Sequence, residues 1–122
     1  MAAIRYLGRD TEEAGGFYVG QLGFTLVSRS GSAFAVVERD GHALWLSGPN
    51  TSAAQQLPDG RLPQPGGWNR VVLNVDDVAA EIARLDAAGT IRRSDPVSGP
   101  GGTQVLVEDP SGNPIELFTP HR

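Results

Sequence analysis

Apolar and polar residues alternate along several short runs of this chain, and two longer stretches break the alternation. Between Trp68 and Val75, residues Val71, Leu73 and Val75 are apolar while Arg70 and Asn74 are polar; near the C-terminus Glu116 sits between Ile115 and Leu117. Such alternation puts successive side chains on opposite faces of a sheet. The stretches opened by Asp10 and Asp77 read as helices, each with an acidic N-cap and a glycine where the helix should stop, Gly23 and Gly89. The pattern predicts strand 2–8, helix 11–22 and strands 23–30, 33–39 and 42–48, then strand 68–75, helix 78–88 and strands 90–97, 103–108 and 114–119. Phe17, Tyr18 and Leu22 are the expected apolar contacts of the first helix.

These two series have the same order, and the sequence repeats with them. Gly41–Pro49 matches Gly112–Pro120 at a constant offset of 71 residues, and a similar run precedes each segment, Val36–Asp40 and Leu106–Pro110. Similarity in the same order points to a duplicated β-α-β-β-β unit. Module one is then 1–48, module two is 68–122, and a linker over 49–67, rich in Pro, Gly, Gln and Ser, joins them within one domain, 1–122. Its length for a compact domain suggests a lid or a plain connection. The fold class is α+β: two tandem modules forming a curled mixed sheet with a concave cleft.

Strand parity assigns residues to that cleft. Val71, Leu73, Val75, Ile115 and Leu117 should pack against the helices, leaving Arg70, Val72, Asn74, Glu116 and Phe118 on the opposite face. By the repeat, Trp45 takes the place that Glu116 holds in the second module, and Ser47 corresponds to Phe118. Leu44 and Leu46 already supply helix-facing surface, so Trp45 reads as a stacking wall for a flat ligand. Trp68 closes the linker, where it either gates the cleft or anchors the loop. Phe34 and Phe118 are further candidate contacts, although Phe34, like Phe24, reads first as core.

Composition removes several chemistries. With 122 residues and a formal charge of −4, the chain is one domain with no clustered basic patch, which argues against nucleic acid as the partner. No apolar run approaches the ~20 residues of a membrane-spanning helix, and no basic-then-apolar signal opens the chain, so a soluble cytoplasmic protein is expected. There is no cysteine and every basic side chain is an arginine, which excludes thiolate nucleophiles and lysine Schiff bases. His42 falls in a turn and His121 is next to last, leaving little for a hydrolytic triad. The Gly99–Gly102 loop does not open a helix, so it is a weak phosphate cradle.

Asp10–Phe24 and Glu108–Phe118 together resemble the vicinal oxygen chelate superfamily, which includes glyoxalase I, extradiol dioxygenases and bleomycin-resistance proteins. The resemblance covers nearly the whole chain and implies paired β-α-β-β-β modules and a homodimer. Its metalloenzymes place His, Glu, His and Glu on four cleft strands. Here the two His positions fall near Ala3 and Arg70, the first Glu position falls at or beside Trp45 and Ser47, and Glu116 alone keeps a ligand-type side chain. The departure implies no metal and no other cofactor, with Arg70 and Glu116 paired on one face.

The expected function is metal-free binding of a small molecule, flat or aromatic, through Trp45, Ser47, Trp68, Arg70, Asn74, Glu116 and Phe118, with sequestration of an antibiotic as one form. Two alternatives stand beside it. One is an enzyme, a lyase, isomerase or dioxygenase, using Glu116 with off-pattern metal ligands such as His42, Glu38 or His121, or using Arg70 and Glu116 as an acid–base pair. The other is a regulatory partner with a vestigial cleft.

Overall fold

The computed structural model describes residues 2–121 and divides them into two compact units, one ending at Gly66 and the other beginning at Gly67. The first contains β1 (Ile4–Leu7), α1 (Thr11–Leu22), β2 (Thr25–Ser30), β3 (Phe34–Arg39) and β4 (His42–Ser47). They form a four-stranded mixed sheet in the order β1-β4-β3-β2, with β1 parallel to β4 and the other neighbours antiparallel. The parallel pair requires a crossover, and α1 supplies it.

Local chemistry sets the ends of α1. The Asp10 carboxylate accepts from the Glu12 and Glu13 backbone N–H groups at 2.9 and 3.1 Å, and Gly23 adopts φ 73° to return its N–H to the Tyr18 carbonyl. The helix buries Ala14, Tyr18 and Leu22 with Tyr6, Phe24, Ala35, Val37, Leu44 and Leu46. Tyr18 is the centre of this core, edge-on to Tyr6, Phe17 and Phe24 at centroid distances of 5.3–6.3 Å. Phe24 is therefore core, as its sequence context suggests. Phe34 is not. It pairs with Ser47 across β3 and β4, and its neighbours Ala35 and Val37 take the buried positions, so parity turns Phe34 to the face away from α1.

The second unit repeats the plan. Its strands β5 (Val71–Asn74), β6 (Val97–Ser98), β7 (Gly102–Glu108) and β8 (Pro114–Pro120) form a mixed sheet in the order β5-β8-β7-β6, and α2 (Val78–Ala87) links the parallel pair β5–β8. Asp77 caps α2 by accepting from Ala80 N–H at 3.2 Å. Val78 and Leu85 of α2 are buried, as are Leu73, Val105, Val107, Ile115 and Leu117 of the sheet. The fold is thus two β-α-β-β-β units with open four-stranded sheets.

Two expected strands change shape. Strand 90–97 does not form: β6 is the pair Val97–Ser98, and the preceding segment follows β7 through an Arg92–Val107 bridge and single hydrogen bonds. Ser94 Oγ accepts from Leu106 N–H at 3.1 Å where a backbone carbonyl would serve in a regular ladder. Pro96 has no N–H to give and disfavours continuation on its N-terminal side, so regular pairing resumes only after it. Strand 68–75 begins at Val71 rather than at residue 68, after Gly66 and Gly67 with φ of 111° and 84°. In the segment 49–67 a short 3-10 turn, Ser52–Ala54, and a tight turn closed by Leu57 N–H to the Arg61 carbonyl are the regular features.

The hairpin β7–β8 owes its shape to the Asp109–Asn113 turn. Asp109 Oδ1 accepts from the backbone N–H groups of Ser111 and Asn113, and Oδ2 accepts from Asn113 Nδ2, all at 2.9 Å, with both side chains buried. At the other end, Gly99–Gly102 is the turn into β7, closed by Gly99 N–H to the Gly102 carbonyl. A Cβ at Gly102 would collide with the Thr119 carbonyl oxygen and Pro120 Cα, so only glycine lets the two chains pass this closely.

Candidate functional site

The sheet of each unit has one face buried by its helix and a second face carrying polar and aromatic side chains. In the second unit the register places Val72 beside Glu116 and Asn74 beside Phe118, and on β7 Leu106 and Gln104 continue the same rows. Arg70, one residue ahead of β5, reaches Glu116. Its Nε and Nη2 both donate to Glu116 Oε1, at 3.0 and 2.7 Å, and Nη1 donates to the Trp68 carbonyl at 3.2 Å. The fork therefore closes on one oxygen rather than spanning both. Glu116 is 7% exposed, and this pairing makes its burial tenable, because an ionised carboxylate withdrawn from water needs charge-assisted donors.

A second arginine, which the sequence reasoning missed, completes this region. Arg93 donates to Glu108 Oε2 at 2.9 Å, to the Gly67 carbonyl at 2.6 Å and to the Gly112 carbonyl at 2.9 Å, and its guanidinium carbon lies 4.6 Å from the Trp68 ring centroid. Trp68 is 68% exposed, with its ring against Arg93 and its carbonyl on Arg70. Two arginine–carboxylate pairs thus hold the backbone at 67–68, and Trp68 has the geometry of an anchor. Nothing in the sequence pattern marks Arg93, because its placement depends on the irregular path of 91–96. Asn74 is exposed, Phe118 is half-buried against Gly101 and Gly102, and a shallow open depression lies nearby, lined by Asn74, Val75, Asp76, Thr119 and Pro120.

In the first unit, Trp45 is half-buried on the face away from α1, between Arg5 on β1 and Val36 on β3 by register. Phe34 meets it edge-on, with ring centroids 6.0 Å apart and planes at 79°. The Arg5 guanidinium carbon lies 5.2 Å from the Trp45 ring centroid, and Nη1 donates to Ser47 Oγ at 3.0 Å. Ser47 is 1% exposed, so its hydroxyl needs this partner. Arg5 was also missed by the sequence reasoning. Its signal was present, since Arg5 precedes the core residue Tyr6 and parity sends it to the Trp45 face.

The metal centre implied by the resemblance does not fit these residues. Parallel register confirms the correspondence of positions: Ile4 pairs with Leu44 as Val71 pairs with Ile115, so Ala3 stands in the first unit where Arg70 stands in the second. Ala3 offers a methyl group and Trp45 an indole, and Ser47 Oγ already accepts from Arg5. Arg70 has no acceptor atom, and its guanidinium occupies the one carboxylate of the set. Among the described residues no group of three or more His, Cys, Asp or Glu is placed to hold an ion, and this includes His42, Glu38 and His121. His42 is exposed in the Arg39–His42 hairpin, and the His121 ring lies 2.9 Å from the Gly99 carbonyl.

Two β-α-β-β-β units, each with polar and aromatic side chains on the sheet face away from its helix, define a class of proteins that share a scaffold and differ in chemistry. The chain belongs to the Glyoxalase/Bleomycin resistance protein/Dioxygenase superfamily, whose family model matches residues 1–117. TnmS3, an antibiotic binding protein from a Streptomyces strain, is 29% identical, with 99% of this chain and 97% of that one covered and a TM-score of 0.70. A superfamily member from Sphaerobacter thermophilus is 26% identical over 98% of this chain and 97% of its own, with a TM-score of 0.72. Lactoylglutathione lyase from Agrobacterium tumefaciens shares the fold at 19% identity, with 98% and 92% of the two chains covered and a TM-score of 0.73. No curated protein matches the chain. No helix among the described residues is long and apolar enough to cross a membrane.

Proposed function

We propose that this protein binds a flat, aromatic small molecule through side chains alone, without a metal ion, as a ligand-sequestering member of its superfamily. The observation that carries the reading is the engagement of Glu116 by Arg70, which puts a guanidinium and a committed carboxylate where metalloenzyme relatives place ligands. Trp45 supports it from the other unit: Leu44 and Leu46 fill the core, so the indole is left over for a surface on which a planar molecule can stack. Ser47, Trp68, Asn74 and Phe118 contribute to ligand contact in this proposal. The TnmS3 likeness supports an antibiotic as one class of ligand. A homodimer in the cytoplasm is part of the same proposal.

The test uses Trp68→Phe protein, in which Trp45 is the one remaining tryptophan, titrated with a panel of planar aromatic compounds. Saturable change in Trp45 emission is expected for at least one chemical class, and its loss in Trp45→Phe, followed by calorimetry, ties the binding to that ring. A panel without any saturable response, by emission in this variant or by heat with the wild-type protein, refutes the proposal.

A second reading, an enzyme with Glu116 as base, is favoured by one detail: both donors from Arg70 converge on Oε1, leaving Oε2 without a donor among the described residues. Turnover of an acidic C–H substrate, lost in Glu116→Gln, distinguishes it from simple binding.

A further inference from the structure

The arginines of the two outer sheet faces differ in one respect: whether a carboxylate answers their charge. Arg70 is neutralised by Glu116 and Arg93 by Glu108. Arg5 has neither. Its contacts are a single hydrogen bond to the neutral Ser47 hydroxyl and the ring of Trp45, and it makes no ion pair with a described carboxylate. Glu38, the acid that shares this sheet face by register, sits in the neighbouring row opposite Ala43 and does not pair with it. The second unit therefore presents arginines answered by ion pairs, and the first presents an arginine without one beside an aromatic ring.

The geometry of a guanidinium makes this arrangement specific. Contact with an indole uses the group's flat face, while its N–H donors point outward in its own plane. Arg5 spends Nη1 on Ser47, and its Nε and Nη2 donors have no protein acceptor among the described residues. Those two donors form one edge of the fork, the edge that matches the two oxygens of a carboxylate. Ser47, fully buried, and the Phe34–Trp45 edge contact hold the fork and the ring in fixed relation.

We propose that Arg5 is the specificity-determining residue of the binding site and that the ligand is an aromatic carboxylate, its ring against Trp45 and its carboxylate on the Arg5 fork. This deepens the binding reading above and rests on it. Arg70, whose charge is already answered, is not the anion-binding residue.

The test is calorimetric titration of the full chain with 2-naphthoate and with 2-naphthamide, which share a ring system and differ in charge. Wild-type protein is expected to bind 2-naphthoate about tenfold more tightly, the effect of one charge-assisted contact. In Arg5→Gln the ratio of the two affinities falls to about one, and Arg5→Lys, which keeps the charge but loses the fork, retains part of the preference. Circular dichroism checks that the variants fold, and the wild-type comparison decides the question without them. Equal affinity of wild-type protein for the two probes, or a preference that survives in Arg5→Gln, overturns the assignment to Arg5 while leaving aromatic binding intact. Absence of binding by both probes, with binding of other planar compounds, also overturns the carboxylate assignment; failure of every planar compound removes the binding reading with it.

Discussion

Arg70 and Glu116 meet through two N–H donors on a single carboxylate oxygen, at 3.0 and 2.7 Å, with the acid almost fully buried. Arginine cannot ligate a metal, and the pairing commits the one carboxylate at the implied ligand positions to a guanidinium. The pair is also a structural commitment of the second unit. Replacing Arg70 by Met strands a buried carboxylate and is expected to cost about 2 kcal/mol. Adding Glu116→Leu to that variant should restore most of the loss, because the uncompensated charge goes with it. Urea denaturation of the two single variants and the double variant measures this; simple additivity of the single effects contradicts it.

The Asp109–Asn113 turn gives a sharper effect. The Asp109 carboxylate accepts from Ser111 N–H, Asn113 N–H and Asn113 Nδ2 inside a buried hairpin, so Asp109→Ala takes this acceptor from all of them. A destabilisation of about 2–3 kcal/mol is expected. Thermal unfolding checks it, and a variant within experimental error of wild type contradicts the role assigned to the turn.

Two adjacent glycines separate steric need from composition. A Cβ at Gly102 meets backbone atoms of Thr119 and Pro120, whereas one at Gly101 makes only ordinary contact, 3.9 Å from Phe118 Cζ. Gly102→Ala is expected to lose about 2 kcal/mol or more through forced backbone movement. Gly101→Ala should be close to neutral. Equal effects would show that the close approach of β7 and β8 is relieved elsewhere.

The anchor at Trp68 predicts a local rather than global change. Arg93→Met removes the contacts to the Gly67 carbonyl, Glu108 and the indole ring together. Amide exchange should rise across 67–70, while the buried strands β7 and β8 keep their protection. Unchanged exchange in that segment contradicts the anchoring role.

Much of this architecture was written in local pattern. The two capping aspartates, the glycine stops and the repeated hairpins specify both β-α-β-β-β units, because each signal acts within a few residues of itself. Parity also placed Arg70 and Glu116 on one face, since alternation along β8 is strict and Arg70 keeps step with Val72. Parity was available for Phe34 as well, yet apolar character argued for the core, and Ala35 and Val37 took that place instead. Strand 90–97 misled for a different reason: Ile91 and Val97 share parity, but Ser94 and Pro96 between them interrupt the ladder. Arg93 lies beyond any local rule, as its four partners come from distant points of the chain.

Whether recognition needs an ion separates side-chain binding from metal-dependent chemistry. The direct measurement is the titration of Trp68→Phe protein with planar aromatic compounds after exhaustive dialysis against EDTA, following Trp45 emission. Side-chain binding predicts the same saturable response and the same affinity before and after chelation, with no stoichiometric metal found by mass spectrometry. A response that vanishes with the chelator and returns when one equivalent of a divalent metal is restored contradicts it.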